Sequence, residues 1–346
     1  MNIVEVLCMS SNFKNRRWVL VEYPDALPEV KNFRLDTKTK VPELKENEIL
    51  VHAHYLSVDP YMRGRISPTR GYTPGVELEG LMPAGGVGEI IESRSSQYEV
   101  GDKVVLENFG WQEYTVKNAD VAMKVDTSVA PIQSYLSYLG MPGLTAYFGL
   151  FAIANIKPQD CVVVSAASGA VGQMVGQLAK EHGCRVIAIA SSNEKINWCK
   201  EIGYDDGINY KEVENVSDEL KEMCPDGVDV YFDNTGGVIN DAIMENLSLN
   251  ARIAICGVVS LADKIGKPDI GPRYLRQILV ARARVQGFLV FDFIDRYPEA
   301  KSHILKLIND SNFKFKEDIS DGIESMASAF IQLLKSENFG KKLIKI

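Results

Sequence analysis

The stretch from Asp160 to Gly183 constrains this chain more than any other. Asp160-Cys-Val-Val-Val-Ser165 is a short β-branched run, Ala166-Ala-Ser-Gly-Ala-Val-Gly172 is a turn of small residues, and Val171, Val175 and Leu178 then recur at helical spacing. That order predicts strand, tight turn and helix, the opening of a βαβ unit. The turn has the form Ala167-x-Gly169-x-x-Gly172, with alanine where a dinucleotide fingerprint has its first glycine. Gly169 would let backbone approach a pyrophosphate at the helix N-terminus, and Gly172 and Gly176 would let the helix lie close to the sheet. Taken alone, such a turn also suits ordinary packing. With the required strand before it and the required helix after it, nucleotide binding becomes the better reading.

A chain of 346 residues exceeds one core of usual size, which suggests two domains. A net charge of -8 without a dense lysine or arginine run disfavours a nucleic-acid partner. The apolar segment Ile3 to Met9 is broken by Glu5 and lacks a preceding basic region, so it reads as neither a signal peptide nor a membrane span, and a cytoplasmic location is the expectation. Six scattered cysteines without a C-x-x-C pair argue against a disulfide framework and against a structural zinc cluster. His52 and His54 alternate on a probable strand and so share a face, but no cysteine or carboxylate pairing accompanies them, and a structural role is the expectation.

From Arg17 to about Asp126 the text is strand-like and rich in turns: Arg17 to Val21, Glu48 to Leu56, Gly86 to Ile91 and Lys103 to Leu106 are short β-type runs between Gly, Pro, Asp and Asn. Among them lies the loop Ser57-Val-Asp-Pro-Tyr-Met-Arg-Gly-Arg65, with an aromatic, a carboxylate and two arginines. A helix opens near Met141-Pro-Gly, and the domain join is expected near residue 128. Beyond the glycine turn, strands at Arg185 to Ala190, up to Tyr210, Val228 to Asp233, Arg252 to Cys256 and Val285 to Val290 alternate with helices. Ser191 to Glu194 reads as a capping box for the helix after Ala190. The alternation predicts an α/β fold, a doubly wound parallel sheet whose ligand lies beyond the strand C-termini. A helix from Ser320 to Lys335 and an alternating strand from Asn338 to Ile346 follow, and this last strand is expected to pair with the N-terminal β module. The expected division is 1–128, a β-rich catalytic domain, 129–305, a nucleotide-binding domain, and 306–346, a return to the first.

In an NAD site the second strand usually ends in an acid about 20 residues beyond the glycine turn, to accept from the ribose hydroxyls. Here that place holds Ala190-Ser191-Ser192, and Lys195 follows in the first helical turn. A cation there is unfavourable to the helix dipole and is offset by a nearby anion, which the 2′-phosphate of NADP supplies. NADP is therefore expected over NAD.

Several strings now point one way: Arg16-Arg17-Trp18-Val19-Leu20, Leu56-Ser-Val-Asp-Pro-Tyr-Met-Arg-Gly-Arg65, Gly110-Trp-Gln-Glu-Tyr114, Leu139-Gly-Met-Pro-Gly-Leu-Thr-Ala-Tyr-Phe-Gly-Leu150, Val164 to Gly172, Tyr231-Phe-Asp-Asn-Thr-Gly-Gly237, Gln286-Gly-Phe288 and Asn338-Phe-Gly340. In order and over nearly the whole chain, they resemble the zinc-independent medium-chain dehydrogenase/reductases of the prostaglandin reductase, curcumin reductase and plant enone reductase type. The resemblance implies a Rossmann sheet with a mostly β, GroES-like catalytic domain, and a homodimer that uses NADPH to reduce the carbon-carbon double bond of α,β-unsaturated ketones and aldehydes. By the family pattern, Gly169, Ala170, Val171 and Gly172 hold pyrophosphate, Ser191 and Lys195 the 2′-phosphate, and Tyr210 the adenosine side. Asn234, Cys256, Gly257, Phe288, Val290 and Asn338 line the remaining cofactor pocket, and Tyr61 matches a tyrosine near the substrate.

Two departures stand out. Ala262 occupies a place where many relatives carry a tyrosine beside the nicotinamide ribose, and Leu81 one where some plant members carry a tyrosine. Polar help for a developing enolate is thinner than in those relatives. The loop around Asp59 and the stretch from Gly101 to Gln112 lack the cysteines of zinc alcohol dehydrogenases, so no metal is expected. A quinone reductase on the same scaffold and a non-catalytic NADPH-binding regulatory protein are the competing readings.

Overall fold

The computed structural model describes residues 14–68, 71–309 and 312–346, so the segment Ile3 to Met9 and Cys8 lie outside the described residues. The chain divides into two compact units: one holds Met1–Leu136, Asp318–Asn338 and Lys342–Ile346, the other Ser137–Glu317 and Phe339–Lys341.

In the first unit, β1 (Lys14–Leu20) and β2 (Phe33–Lys40) form an antiparallel ribbon in which Trp18 faces Leu35 and Leu20 faces Phe33. Next come β3 (Glu48–Ser57), the short helix α1 (Met62–Arg65), β4 (Gly86–Ser93), β5 (Lys103–Leu106), β6 (Tyr114–Asn118) and β7 (Met123–Lys124). β3 runs antiparallel to both β4 and β6. It lies so close to β4 that a Cβ at Gly88 would come 2.0 Å from the His52 carbonyl oxygen. Glycine is the residue that permits this approach.

The second unit opens with α2 (Met141–Phe148), whose last turn widens into a π-helix over Gly149–Ala154. Strands β8 (Cys161–Ser165), β9 (Arg185–Ala190), β10 (Asp206–Asn209), β11 (Val228–Asp233), β12 (Leu247–Ile255) and β13 (Arg284–Gly287) alternate with α3 (Ala170–Glu181), α4 (Asn193–Glu201), α5 (Val216–Met223), α6 (Gly237–Met244) and α7 (Leu275–Ala281), and α8 (Tyr297–Ile308) follows. All neighbouring pairs in this sheet are parallel, in the order β10-β9-β8-β11-β12-β13. The strand order reverses between β8 and β11, the crevice position at which such sheets bind ligands. The fold is the expected doubly wound sheet with a separate, mostly β unit.

β14 (Glu317–Asp321), α9 (Met326–Leu334) and β15 (Lys341–Lys345) complete the chain, and β15 pairs antiparallel with β3 through Leu343 opposite Ser57. The final strand thus joins the N-terminal β module as expected, in a sheet ordered β14-β15-β3-β4-β5-β7. Three details differ from the sequence reading. The division between units falls after Leu136 instead of near residue 128, because Leu136 packs with Val87, Val105 and Leu343. The return falls at Asp318 instead of 306, because Lys314 and Lys316 exchange backbone hydrogen bonds with the side chains of Gln177 and Gln173 on α3. The helix expected from Ser320 spans only Met326–Leu334, since its first residues belong to β14 and a 3-10 turn. Among the described residues, no helix is long and apolar enough to cross a membrane.

Candidate functional site

After β8 the chain turns sharply at Ala166 (φ 48°), and the N–H of Ala167 donates to the Ile189 carbonyl of β9 at 3.2 Å. Gly169 then caps α3 in extended backbone. A Cβ at Gly172 would lie 2.5 Å from the carbonyl oxygens of both Ala166 and Ala167, and one at Gly176 would lie 2.0 Å from the ring of Tyr204. The buried Tyr204 hydroxyl donates to the Gly172 carbonyl at 2.7 Å. The two glycines therefore set the close seat of a twelve-residue helix whose first-turn N–H groups open on the turn.

β9 ends at Ala190 with no acid after it. The helix cap is Ser192, whose hydroxyl accepts from the Lys195 backbone N–H at 3.3 Å, one residue later than the expected capping box at Ser191. The shift leaves Ser191 outside the helix, where its hydroxyl accepts from Lys195 Nζ at 3.1 Å. Tyr210 follows β10, its backbone N–H on the Ala190 carbonyl at 3.2 Å.

At the end of β11, Asp233 is 1% exposed and organises the next two turns. Its Oδ1 accepts from the Tyr231 hydroxyl at 2.8 Å, from the backbone N–H groups of Thr235 at 2.9 Å and Gly236 at 2.8 Å, and from the Ser165 hydroxyl at 3.3 Å. Its carbonyl accepts from the N–H groups of Cys256 at 2.8 Å and Gly257 at 3.0 Å. Burial holds the Asp233 carboxyl above the ordinary aspartate value, against the pull of these donors toward the charged form. Asn234 donates from Nδ2 to the Ser165 carbonyl at 2.7 Å, which ties the turn after β11 to the end of β8. Phe288 is half-buried, edge-on to Phe232 with centroids 6.3 Å apart, and Val290 is buried.

Gly169, Ala170, Val171, Gly172, Ser191, Lys195, Tyr210, Asn234, Cys256, Gly257, Phe288 and Val290 thus all follow the C-terminal ends of the six parallel strands. The glycine seat, the helix N-terminus, the missing acid and the Lys195–Ser191 pair fit a dinucleotide bearing an extra phosphate. Tyr61 and Asn338 belong to the first unit. Tyr61 is half-buried at the start of α1, and burial, then the nearby Asp59 carboxylate, push its phenol well above the usual tyrosine value. Of the two departures, Leu81 bridges to Val19 and packs against Gly110, while Ala262 is buried just after a 3-10 turn.

Asp233, Ser165 and Gln173 escaped the sequence reading. Asp233 had one signal, its place as the last residue of a strand before Asn-Thr-Gly-Gly. Gln173 had none: it is fully buried on α3, and its Oε1 accepts from Trp198 Nε1 at 2.9 Å and from the Lys316 N–H at 2.8 Å. His52 stacks on Tyr114 with centroids 4.7 Å apart, and His54 lies 3.8 Å from Glu89. Among the described residues, no group of three or more His, Cys, Asp or Glu is arranged to hold a metal ion.

The family model described as the N-terminal domain of oxidoreductase matches residues 16–125, and that described as zinc-binding dehydrogenase matches residues 170–306. The chain is 37% identical over 338 residues to the NADPH-dependent curcumin reductase of Escherichia coli (strain K12), covering 96% of this chain and 97% of that protein. It is 36% identical over 350 residues to the 2-alkenal reductase (NADP(+)-dependent) of Nicotiana tabacum, covering 98% and 99%. Among solved structures, CurA in complex with NADPH from Vibrio vulnificus superposes with a TM-score of 0.89 at 36% identity, over 95% of this chain and 98% of that one. With such identity along almost its entire length and both domain types matched in order, the chain belongs to the medium-chain dehydrogenase/reductase family, in its curcumin reductase and prostaglandin reductase branch.

Proposed function

We propose that this protein reduces the carbon-carbon double bond of α,β-unsaturated ketones and aldehydes, with NADP as its cofactor and as a homodimer. The observation that carries the reading is the C-terminal end of the parallel strands, where the glycine seat of α3 lies beside a second strand that is followed by Ser191 and Lys195 instead of an acid. The names of the curcumin and 2-alkenal reductases support the same substrate class.

Gly169 to Gly172 would receive the pyrophosphate on backbone N–H groups, Ser191 and Lys195 the 2′-phosphate, and the turns at Asn234 and Cys256-Gly257 the rest of the cofactor. When bound, NADPH supplies a hydride to the β-carbon of the enone. Tyr61 donates a hydrogen bond to the carbonyl oxygen as negative charge gathers there. Because burial and Asp59 hold its proton on, the phenol remains a donor through the neutral range. Ala262 offers no hydroxyl, and Leu81 is committed to packing, which leaves Tyr61 a larger share of the stabilisation. Solvent delivers the proton to the α-carbon.

The test combines a panel of enones, enals and quinones, assayed with NADPH and NADH, with isotope placement. Nicotinamide-deuterated NADPH in ordinary water is expected to label the β-carbon, and unlabelled NADPH in heavy water the α-carbon. Label on the carbonyl carbon would overturn double-bond reduction, and turnover confined to quinones would move the assignment to quinone reduction. Tyr61→Phe is expected to slow the step without abolishing it, by up to about 10²- to 10³-fold where the phenol is the main donor and less where cofactor hydroxyls share the task.

A further inference from the structure

The N-terminal end of the parallel strands, opposite the glycine turn, carries a second cluster. Cys161, the first residue of β8, and Cys224, which caps the end of α5, are 63 positions apart in sequence, yet their sulfurs are 3.3 Å apart. Both are free thiols, Cys161 half-buried and Cys224 buried. Arg185, the first residue of β9 and the ladder partner of Cys161, is exposed and brings Nη1 within 3.7 Å of the Cys161 sulfur while donating to the Met223 carbonyl at 2.5 Å. Asp229 is the facing carboxylate, and its Oδ2 accepts from the Cys161 backbone N–H at 2.9 Å.

We propose that Cys161 and Cys224 are a redox modification site, forming a reversible intramolecular disulfide when the protein meets a low-molecular-weight disulfide. The geometry requires little. The sulfurs must close from 3.3 Å to about 2.05 Å, and Cys224 lies outside regular structure, in a turn closed by the Gly227 N–H on its own carbonyl at 2.8 Å. The electrostatics are suited to exchange, in which a thiolate is the attacking species. The hydrogen bond from the Cys161 thiol, assisted by Arg185, lowers the Cys224 thiol toward the thiolate form, and the same bond raises Cys161.

The reaction balances in two exchanges. As the Cys161 thiol passes its hydrogen-bonded proton to the Cys224 thiolate, its more accessible sulfur attacks the external disulfide, forms a mixed disulfide and expels one thiolate, which takes that proton on from Cys224. The Cys224 thiolate then attacks the Cys161 sulfur, the protein disulfide forms, and the second external thiolate leaves. The protein pair loses two electrons and two protons, and the external disulfide is reduced to two thiols. The staple would close the chain between β8 and the end of α5, at the strand ends that carry none of the proposed cofactor residues. Its effect is expected on stability, with hydride transfer unchanged.

The experiment incubates the purified protein with oxidised glutathione or with dithiothreitol, followed by alkylation, peptide mapping without reduction and thermal unfolding. Expected are a cross-linked peptide containing Cys161 and Cys224, its reversal by dithiothreitol, and a midpoint higher by on the order of 5–10 °C in the oxidised protein. Cys161→Ser and Cys224→Ser should each lose the cross-link and the shift while keeping the turnover rate. Both positions still alkylated after oxidation, a stable glutathione adduct on Cys161, or a link to another cysteine would each overturn the proposal. The peptide map of the unsubstituted protein decides this even if a serine variant fails to fold.

Discussion

Lys195 sits in the first turn of α4, where the helix dipole disfavours a cation, with its ammonium 3.1 Å from the Ser191 hydroxyl. An anion bound beside that hydroxyl offsets the cost and gains a charge-assisted hydrogen bond worth roughly 1.5–3 kcal/mol. Lys195→Ala is therefore expected to weaken NADPH binding about ten- to a hundredfold, with NADH, which lacks the phosphate, barely changed. Equilibrium titration of both cofactors by nicotinamide fluorescence measures the two losses, and equal losses would show that Lys195 does not read the 2′-phosphate. Ser191 and Lys195 were named together by the family pattern, and they meet because they stand four positions apart across the start of α4. Asp233 is the opposite case: beside its local donors Tyr231, Thr235 and Gly236 it accepts from Ser165 of β8, whose proximity exists only after the sheet has formed.

The element most exposed to a single change is α3. At Gly176 an added methyl would meet the Tyr204 ring at 2.0 Å, and that ring is fixed from its far end by the hydroxyl bond to the Gly172 carbonyl. The ring cannot retreat without breaking the bond that seats the helix. Gly176→Ala is expected to cost about 1–3 kcal/mol in urea unfolding, and to reduce cofactor affinity through the displaced N-terminus of the helix. Gly172→Ala would act on the turn directly, because its obstruction is backbone. Strands β8, β9 and β11 of the parallel sheet were readable from their apolar β-branched runs, and β5 was read to its ends. Strands β2, β6 and β14 were not, for a physical reason. Glu317-Asp-Ile-Ser-Asp321 has neither alternation nor β-propensity, and it is a strand because β15 offers it a ladder. The contact between Cys161 and Cys224 was hidden for the same reason, as it is made by the stacking of elements and by no local pattern.

For the whole molecule, the open flank of the second unit bears on the proposed homodimer. Strand β13 ends its sheet, with β12 as its neighbour among the described residues, and all four of its residues are exposed. Nearby, on α7, Leu275 and Leu279 are 73% and 75% exposed. An open edge beside apolar side chains is a ready template for a second copy. Light scattering at micromolar concentration is expected to give twice the 38.4 kDa chain mass. Leu279→Glu should shift that mass toward the monomer, and a monomeric unsubstituted protein would remove the homodimer from the reading. The order β14-β15-β3 has a consequence for biosynthesis. A ribosome releases β3 early, but the strand that flanks it is made some 290 residues later, as the interval from Leu56 to Ile344 shows. The second unit can complete its own sheet while Tyr55 to Ser57 of β3, beyond the stretch that β6 covers, still lack their ladder partner, so this part of the module closes only once β15 has been made.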